Sequence, residues 1–228
     1  MKNNLNRRRF LGAIPALTLL NTSFTPTSSK YPISCNGYNW FSFYSRENKT
    51  WGANWDADIA AFASTGLKAF EPGLDSAAQA KEIMQACKKH KISMPSVYVN
   101  SVLHEKSEAE KAINSIIEIA NVLKPFGTKI FVTNPTPLAW GKANQKTDEQ
   151  LIEQAKNLQK LNLLLQKKGI TLAYHTHDIE LKGGAREFHH MMQNTTVSFC
   201  MDVHWIYRGP ITLLYLFLMY SKCMANVL

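Results

Sequence analysis

From about residue 36 onward the chain alternates short β-prone runs with longer stretches in which apolar residues recur every three or four positions. The short runs predict strands near Tyr38–Tyr44, Leu67–Glu71, Met94–Asn100, Lys129–Asn134, Thr171–His177 and Val197–His204. The longer ones predict helices over Trp55–Ser64, Ser76–His90, Ser107–Leu123, Asp148–Lys168 and Arg186–Gln193. In the third helix Ile113, Ile116, Ile117 and Ala120 share one face, and Ser107 with Glu110 forms a candidate capping box. In the fourth, Leu151, Ala155, Leu158 and Leu161 make the buried stripe, Asp148 is placed to cap, and Gly169 closes the helix. Strand followed by helix, over and over, predicts a parallel α/β protein. The pitch is that of a (β/α)8 barrel, which takes ~250 residues for its eight units, and about six units are present here.

In such a barrel the C-terminal strand ends carry the chemistry, so the polar residues that close each run become candidates. Alternate residues of a strand share a face. Leu67, Ala69 and Glu71 lie on one face; so do Thr171, Ala173, His175 and His177; so do Ser198, Cys200, Asp202 and His204. Each row runs from small or apolar residues to ionisable ones, and Asn100 and Asn134 add hydrogen-bonding groups to the same rim. Two strand ends bearing imidazole and carboxylate suit a divalent metal such as Mn, Mg, Co or Zn, with His175, His177, Asp202 and His204 as candidate ligands. A lone strand-end histidine is usually structural; two at i and i+2 beside an Asp-x-His pair point to a site. Glu71 is a catalytic candidate, or a cap for the helix near Ser76. Glu180, three residues past His177, is an acid or a loop-closing hydrogen-bond acceptor. Trp205, Tyr207 and Arg208 line a sugar face, bind an anion or pack as a lid.

Composition narrows the class. A chain of 228 residues with 45% hydrophobic and 19% charged residues supports one sizeable globular domain. The formal charge of +9 does not signal nucleic acid: Lys2, Arg7, Arg8 and Arg9 crowd the N-terminus, and the remaining lysines are scattered over helical stretches. Cys35, Cys87, Cys200 and Cys223 show no paired spacing, which argues against a disulfide framework or a zinc knuckle. Asn6-Arg7-Arg8-Arg9-Phe10-Leu11, with the apolar stretch to Leu20, resembles a twin-arginine export signal. Residues 1–30 therefore read as leader and spacer, the export machinery becomes a partner, and the periplasm is the expected location, with an uncleaved leader as a possible tether.

Three motifs carry a family resemblance: Gly66-Leu-Lys-Ala-Phe-Glu-Pro72, Tyr174-His-Thr-His-Asp-Ile-Glu-Leu181 and Phe199-Cys-Met-Asp-Val-His-Trp-Ile-Tyr-Arg-Gly209. Here the chain resembles the sugar phosphate isomerase/epimerase family of xylose-isomerase-like barrels. The resemblance implies a metal-dependent isomerase or epimerase that removes a proton beside a sugar carbonyl through an enediolate. It implies Asp202 as the sixth-strand ligand, His175 or His177 at the fifth, and a small sugar or sugar phosphate as substrate. It runs from about residue 36 to Gly209, and the partial barrel is expected over residues 31–209. The family's seventh-strand histidine and eighth-strand glutamate have no counterpart, and the charge-poor tail 210–228 reads as aberrant, as in a truncated, inactive copy. A keto-sugar lyase or hydratase, or a non-catalytic periplasmic sugar-binding protein, are the alternatives; an endonuclease lacks the ligands and the basic surface.

Overall fold

The structure is a computed structural model that describes residues 34–140, 142 and 144–209. The leader, 1–30, and the tail, 210–228, lie outside the described residues. Six strands are present among these: β1 Cys35–Asn36, β2 Phe70–Glu71, β3 Ser96–Ser101, β4 Ile130–Pro135, β5 Thr171–His175 and β6 Ser198–Cys200. All pairings are parallel. β1 pairs with β2, and β3, β4, β5 and β6 form a sheet in that order. The bridges Ala69↔Ser93 and Gly73↔Tyr98 tie β2 to β3. Each strand thus neighbours the next in sequence, which is the wall of a partial barrel of about six units.

Register confirms the alternation on which the site argument rests. Tyr98 pairs with Val132, Val132 with Ala173, and Ala173 with Ser198, which puts these four in one layer of the barrel interior. The next inward layer holds Asn100, Asn134, His175 and Cys200. The intervening residues Val97, Val99, Phe131, Leu172 and Tyr174 face outward and are buried under helices.

Seven helices surround the strands in the described residues: α1 Gly37–Arg46, α2 Trp55–Ser64, α3 Ala77–Lys89, α4 Lys106–Leu123, α5 Asp148–Gln166, α6 Lys182–Asn194 and α7 Val203–Arg208. Ile113, Ile116, Ile119, Ala120 and Leu123 of α4 and Leu151, Leu158, Leu161 and Leu165 of α5 are buried in the common core. Burying each such leucine or isoleucine stabilises the fold by about 1.5–3 kcal/mol. Gly169 ends α5 in the left-handed region at φ +71°, as its position predicts. Among the described residues no helix is long and apolar enough to cross a membrane.

Four local expectations are corrected. The run Tyr38–Tyr44 is the helix α1, not a strand. Asn36 caps it by accepting from the Tyr38 amide at 2.8 Å, and Trp40 packs against Trp51 and Phe62, an arrangement that helical spacing allows. The Ser107–Glu110 capping box does not form, because α4 begins at Lys106, one residue before Ser107. The cap of α5 is Thr147, in a reciprocal box with Gln150, and Asp148 lies inside the first turn. Finally, β6 is shorter than its pattern, ending at Cys200, with α7 starting at Val203.

Candidate functional site

A cleft of about 1350 Å³ opens at the C-terminal ends of the strands, bordered by Glu71, Tyr98, His175, His177, Cys200 and Asp202 among others. His175 closes β5 and faces the barrel interior; it is only 8% exposed, and its ring has an edge contact with Tyr98 at 5.7 Å between centroids. No hydrogen bond to its ring nitrogens is found among the described residues. His177 follows beyond the strand. Its ring lies 4.7 Å from that of His175, 5.0 Å from Trp140 and 5.1 Å from Trp205, in an aromatic cluster at the cleft. The buried Nδ1 of His177 has no hydrogen-bond partner and stands 4.0 Å from Glu180 Oε2.

Burial pushes the His177 imidazole down to about 4, and the neighbouring His175 adds to the effect; Asp202 and Asp178 pull the other way. Burial also lowers His175, against the attraction of Asp202 and Glu71. Both rings are therefore neutral near pH 7, the state in which an imidazole nitrogen ligates a metal.

Glu180 is 0% exposed and does not border the cleft. Its Oε2 accepts from the His177 amide at 2.7 Å and its Oε1 from Asn134 Nδ2 at 3.2 Å, while Asn134 also donates to the His175 carbonyl at 2.9 Å. The carboxylate thus stitches the β4 end to the loop after β5, the loop-closing role of the two open to it. Burial raises its pKa, with Glu187 adding, against the bonds from the His177 amide and Asn134.

The β6 end departs from its pattern. Asp202 is the N-cap of α7: Oδ1 accepts from the amides of His204 at 2.9 Å and Trp205 at 3.1 Å. Aspartate is among the strongest N-cap residues, so the chain turns into a helix where period-2 alternation had predicted continued strand. Asp202 and His204 therefore do not share a strand face. Asp202 borders the cleft, and His204 sits exposed on α7 at its mouth. Glu71 ends β2, with Oε1 accepting from Asn36 Nδ2 at 2.7 Å and Oε2 from the Ser96 hydroxyl. It does not cap α3, a task taken by Ser76.

Two cleft residues escaped the sequence reading. Tyr98 shares parity with Asn100; burial raises its hydroxyl, helped by the charges of Glu180, Cys200, Glu71 and Asp202, so the phenol stays a donor. Cys200 occupies the inward position level with His175, and burial pushes its thiol up to about 11. Among the described residues no group of three or more His, Cys, Asp or Glu side chains is already drawn together as a metal shell. Of the candidate ligands, His175 is a mostly buried residue that borders the cleft, His177 Nδ1 is buried with no hydrogen-bond partner, and Asp202 spends only Oδ1 on the helix amides.

Comparison with known proteins bears on the architecture. The model of a family described as xylose isomerase-like TIM barrel matches residues 59–215. A sugar phosphate isomerase/epimerase from Parabacteroides distasonis is similar in structure, with a TM-score of 0.62 and 15% identity over 85% of this chain and 73% of that one. A xylose isomerase-like TIM barrel protein from Mycobacterium smegmatis, solved in complex with magnesium, has a TM-score of 0.57 and 11% identity, covering 74% of this chain and 62% of its own. The 3-keto-D-glucoside 4-epimerase of E. coli gives a TM-score of 0.55 and 14% identity, covering 72% and 69%. At these identities the likeness is one of fold. No curated protein sequence matches the chain significantly.

Proposed function

The chain belongs to the xylose isomerase-like TIM barrel family, and on that premise we propose that it is a metal-dependent sugar or sugar phosphate isomerase/epimerase. The convergence of Glu71, Tyr98, His175 and Asp202 in one cleft at the strand ends carries this reading. In the proposed reaction Glu71 takes the proton from the carbon beside the substrate carbonyl. The electron pair moves onto the carbonyl oxygen, giving an enediolate, and the proton returns to the neighbouring carbon or to the opposite face. Asn36 and Ser96 hold the Glu71 carboxylate in place. The Tyr98 hydroxyl, kept protonated, donates to a substrate oxygen.

His175, His177 and Asp202 would hold the divalent ion, with His204 at the cleft mouth. A bound Mn, Mg, Co or Zn ion supplies Lewis acidity where negative charge develops on the sugar oxygens. Glu180 does not touch substrate: it holds the His177 loop. Trp140 and Trp205 flank His177 at the cleft. The twin-arginine leader would deliver the domain to the periplasm.

The test is solvent exchange. Full-length protein incubated with ketoses and ketose phosphates in deuterated buffer, with Mn2+ added, should place deuterium on the carbon beside the carbonyl. Glu71→Gln should slow this at least about 100-fold. Absence of exchange with every sugar and every metal tried would end the proposal.

A further inference from the structure

We propose that Tyr38 and Phe41 of α1 form a subsite for a second sugar ring, so that the substrate class is a neutral disaccharide rather than a sugar phosphate. The inference rests on the sugar isomerase/epimerase reading above and specifies its substrate. α1 follows β1 directly, and its cap residue Asn36 donates to Glu71 Oε1 at 2.7 Å, so the helix starts beside the proposed base. Tyr38 and Phe41 stand three residues apart and therefore share a helix face. Both border the cleft, their ring centroids are 6.2 Å apart, and they are 71% and 55% exposed. The step between them along the helix is about 4.5 Å, the scale of one sugar ring. An open aromatic face takes the C–H side of a pyranose and leaves its hydroxyls to polar groups. Asn39, between the two rings in sequence, brings an amide to the same cleft.

Charge separates a second ring from a phosphate. A phosphate is held by converging lysine and arginine side chains or by free amides at a helix start. Among the described residues the cleft is bordered by three such cations, Lys142, Lys182 and Arg208, and by four carboxylates. Lys182 stands 3.7 Å from Asp178, and the Arg208 guanidinium lies over the Trp205 ring at 5.4 Å. Helix starts at the cleft already have their caps: Asn36 takes the Tyr38 amide, Ser76 the Gln79 amide, and Asp202 the amides of His204 and Trp205. Such a lining favours a neutral ligand with stacking faces and hydroxyls over a dianion. In the disaccharide one sugar keeps the carbonyl that the proposed proton transfer needs. The glycosidic bond joins it to the second ring through another carbon, and that bond is neither made nor broken.

Calorimetric titration of the full-length chain, with Mn2+ present, compares maltose and cellobiose with glucose and glucose 6-phosphate. One of the disaccharides should bind at least about fivefold tighter than glucose, the gain expected from stacking on two aromatic rings, and tighter than glucose 6-phosphate. The double variant Tyr38→Ala/Phe41→Ala should erase that gain, with glucose affinity within twofold and circular dichroism unchanged. Tyr38→Phe, which keeps the ring, should retain it. If both disaccharides bind no tighter than glucose, or the double alanine variant binds them as wild type does, the subsite is overturned and the sugar reading stands without it. Tighter binding of glucose 6-phosphate overturns it in favour of the phosphate. If none of these sugars binds, the inference falls, and the deuterium exchange described above decides whether the sugar reading falls with it.

Discussion

The ends of β5 and β6 carry nearly the same rhythm, His-x-His in one and Asp-x-His in the other, and they fold in different ways. After β5 the chain leaves the strand at His175 but keeps the His177 ring against the His175 ring at the cleft. After β6 it turns into α7, and His204 swings out to an exposed helical position. In both places a carboxylate captures backbone amides at 2.7–3.1 Å. Glu180 reaches back three residues from a buried position, closing a loop that brings its histidine inward. Asp202 reaches forward and starts a helix that carries its histidine away. The i, i+2 rule describes extended backbone only, and it fails at the first residue whose side chain can satisfy the amides ahead of it.

The two carboxylates should differ sharply when removed. Glu180→Ala strands the His177 amide and takes one of the two acceptors of the buried Asn134 amide, so we expect about 3 kcal/mol of lost stability by urea unfolding. A loss under 1 kcal/mol would show that the loop holds itself.

The next largest effect is in pH. His177 is lowered from 6.5 in the unfolded chain to about 4 in the fold, so the unfolded state binds the extra proton first. Stability is then full above pH 6.5 and declines as pH falls toward 4, by up to about 3 kcal/mol. His177→Gln should flatten that part of the stability–pH curve. An unchanged slope would mean that other groups govern it.

The regions that sequence rules describe well are those where one pattern meets no competitor. The alternation of strands and helices, the inward parity of β3 to β6 and the buried stripes of α4 and α5 were legible because each rests on many residues in agreement. The helix α1 was not, since its aromatic-rich run suits strand as well as helix. The choice is made by the Asn36 cap and by the packing of Trp40 against Trp51 and Phe62, partners distant in sequence. At the site, Glu71 and His175 stand where strand parity put them. Cys200 passed as one of the small residues leading up to Asp202, because a thiol reads as a small apolar side chain until a neighbour gives it a task. For Glu180 the residue type left two roles open, and only its burial decides between them.

Asp202 is where the two halves of the comparison meet, since capping and metal binding make separable demands. Asp202→Ala should cost about 1 kcal/mol, the usual loss for an N-cap. Asp202→Asn keeps a cap-competent oxygen and should cost almost nothing in stability, yet it removes the charge that a divalent ion needs. Metal affinity should fall at least about tenfold in both variants. Equal stability losses in the two would mean that the charge, through the α7 dipole, matters more than the cap.

The smallest effect expected is at His204, and it is the most discriminating between the sequence pattern and the fold. By pattern it is a ligand level with Asp202; in the fold it is an exposed residue on α7 whose ring touches Trp205 at 4.9 Å. His204→Ala should change stability by less than about 0.5 kcal/mol, as surface substitutions usually do. It should leave Co2+ affinity within twofold, where His175→Ala lowers it at least tenfold. Should His204→Ala instead weaken metal binding as much as His175→Ala does, α7 must unwind when the ion binds. The strand-like spacing of Asp202 and His204 would then describe the loaded site rather than the structure seen here.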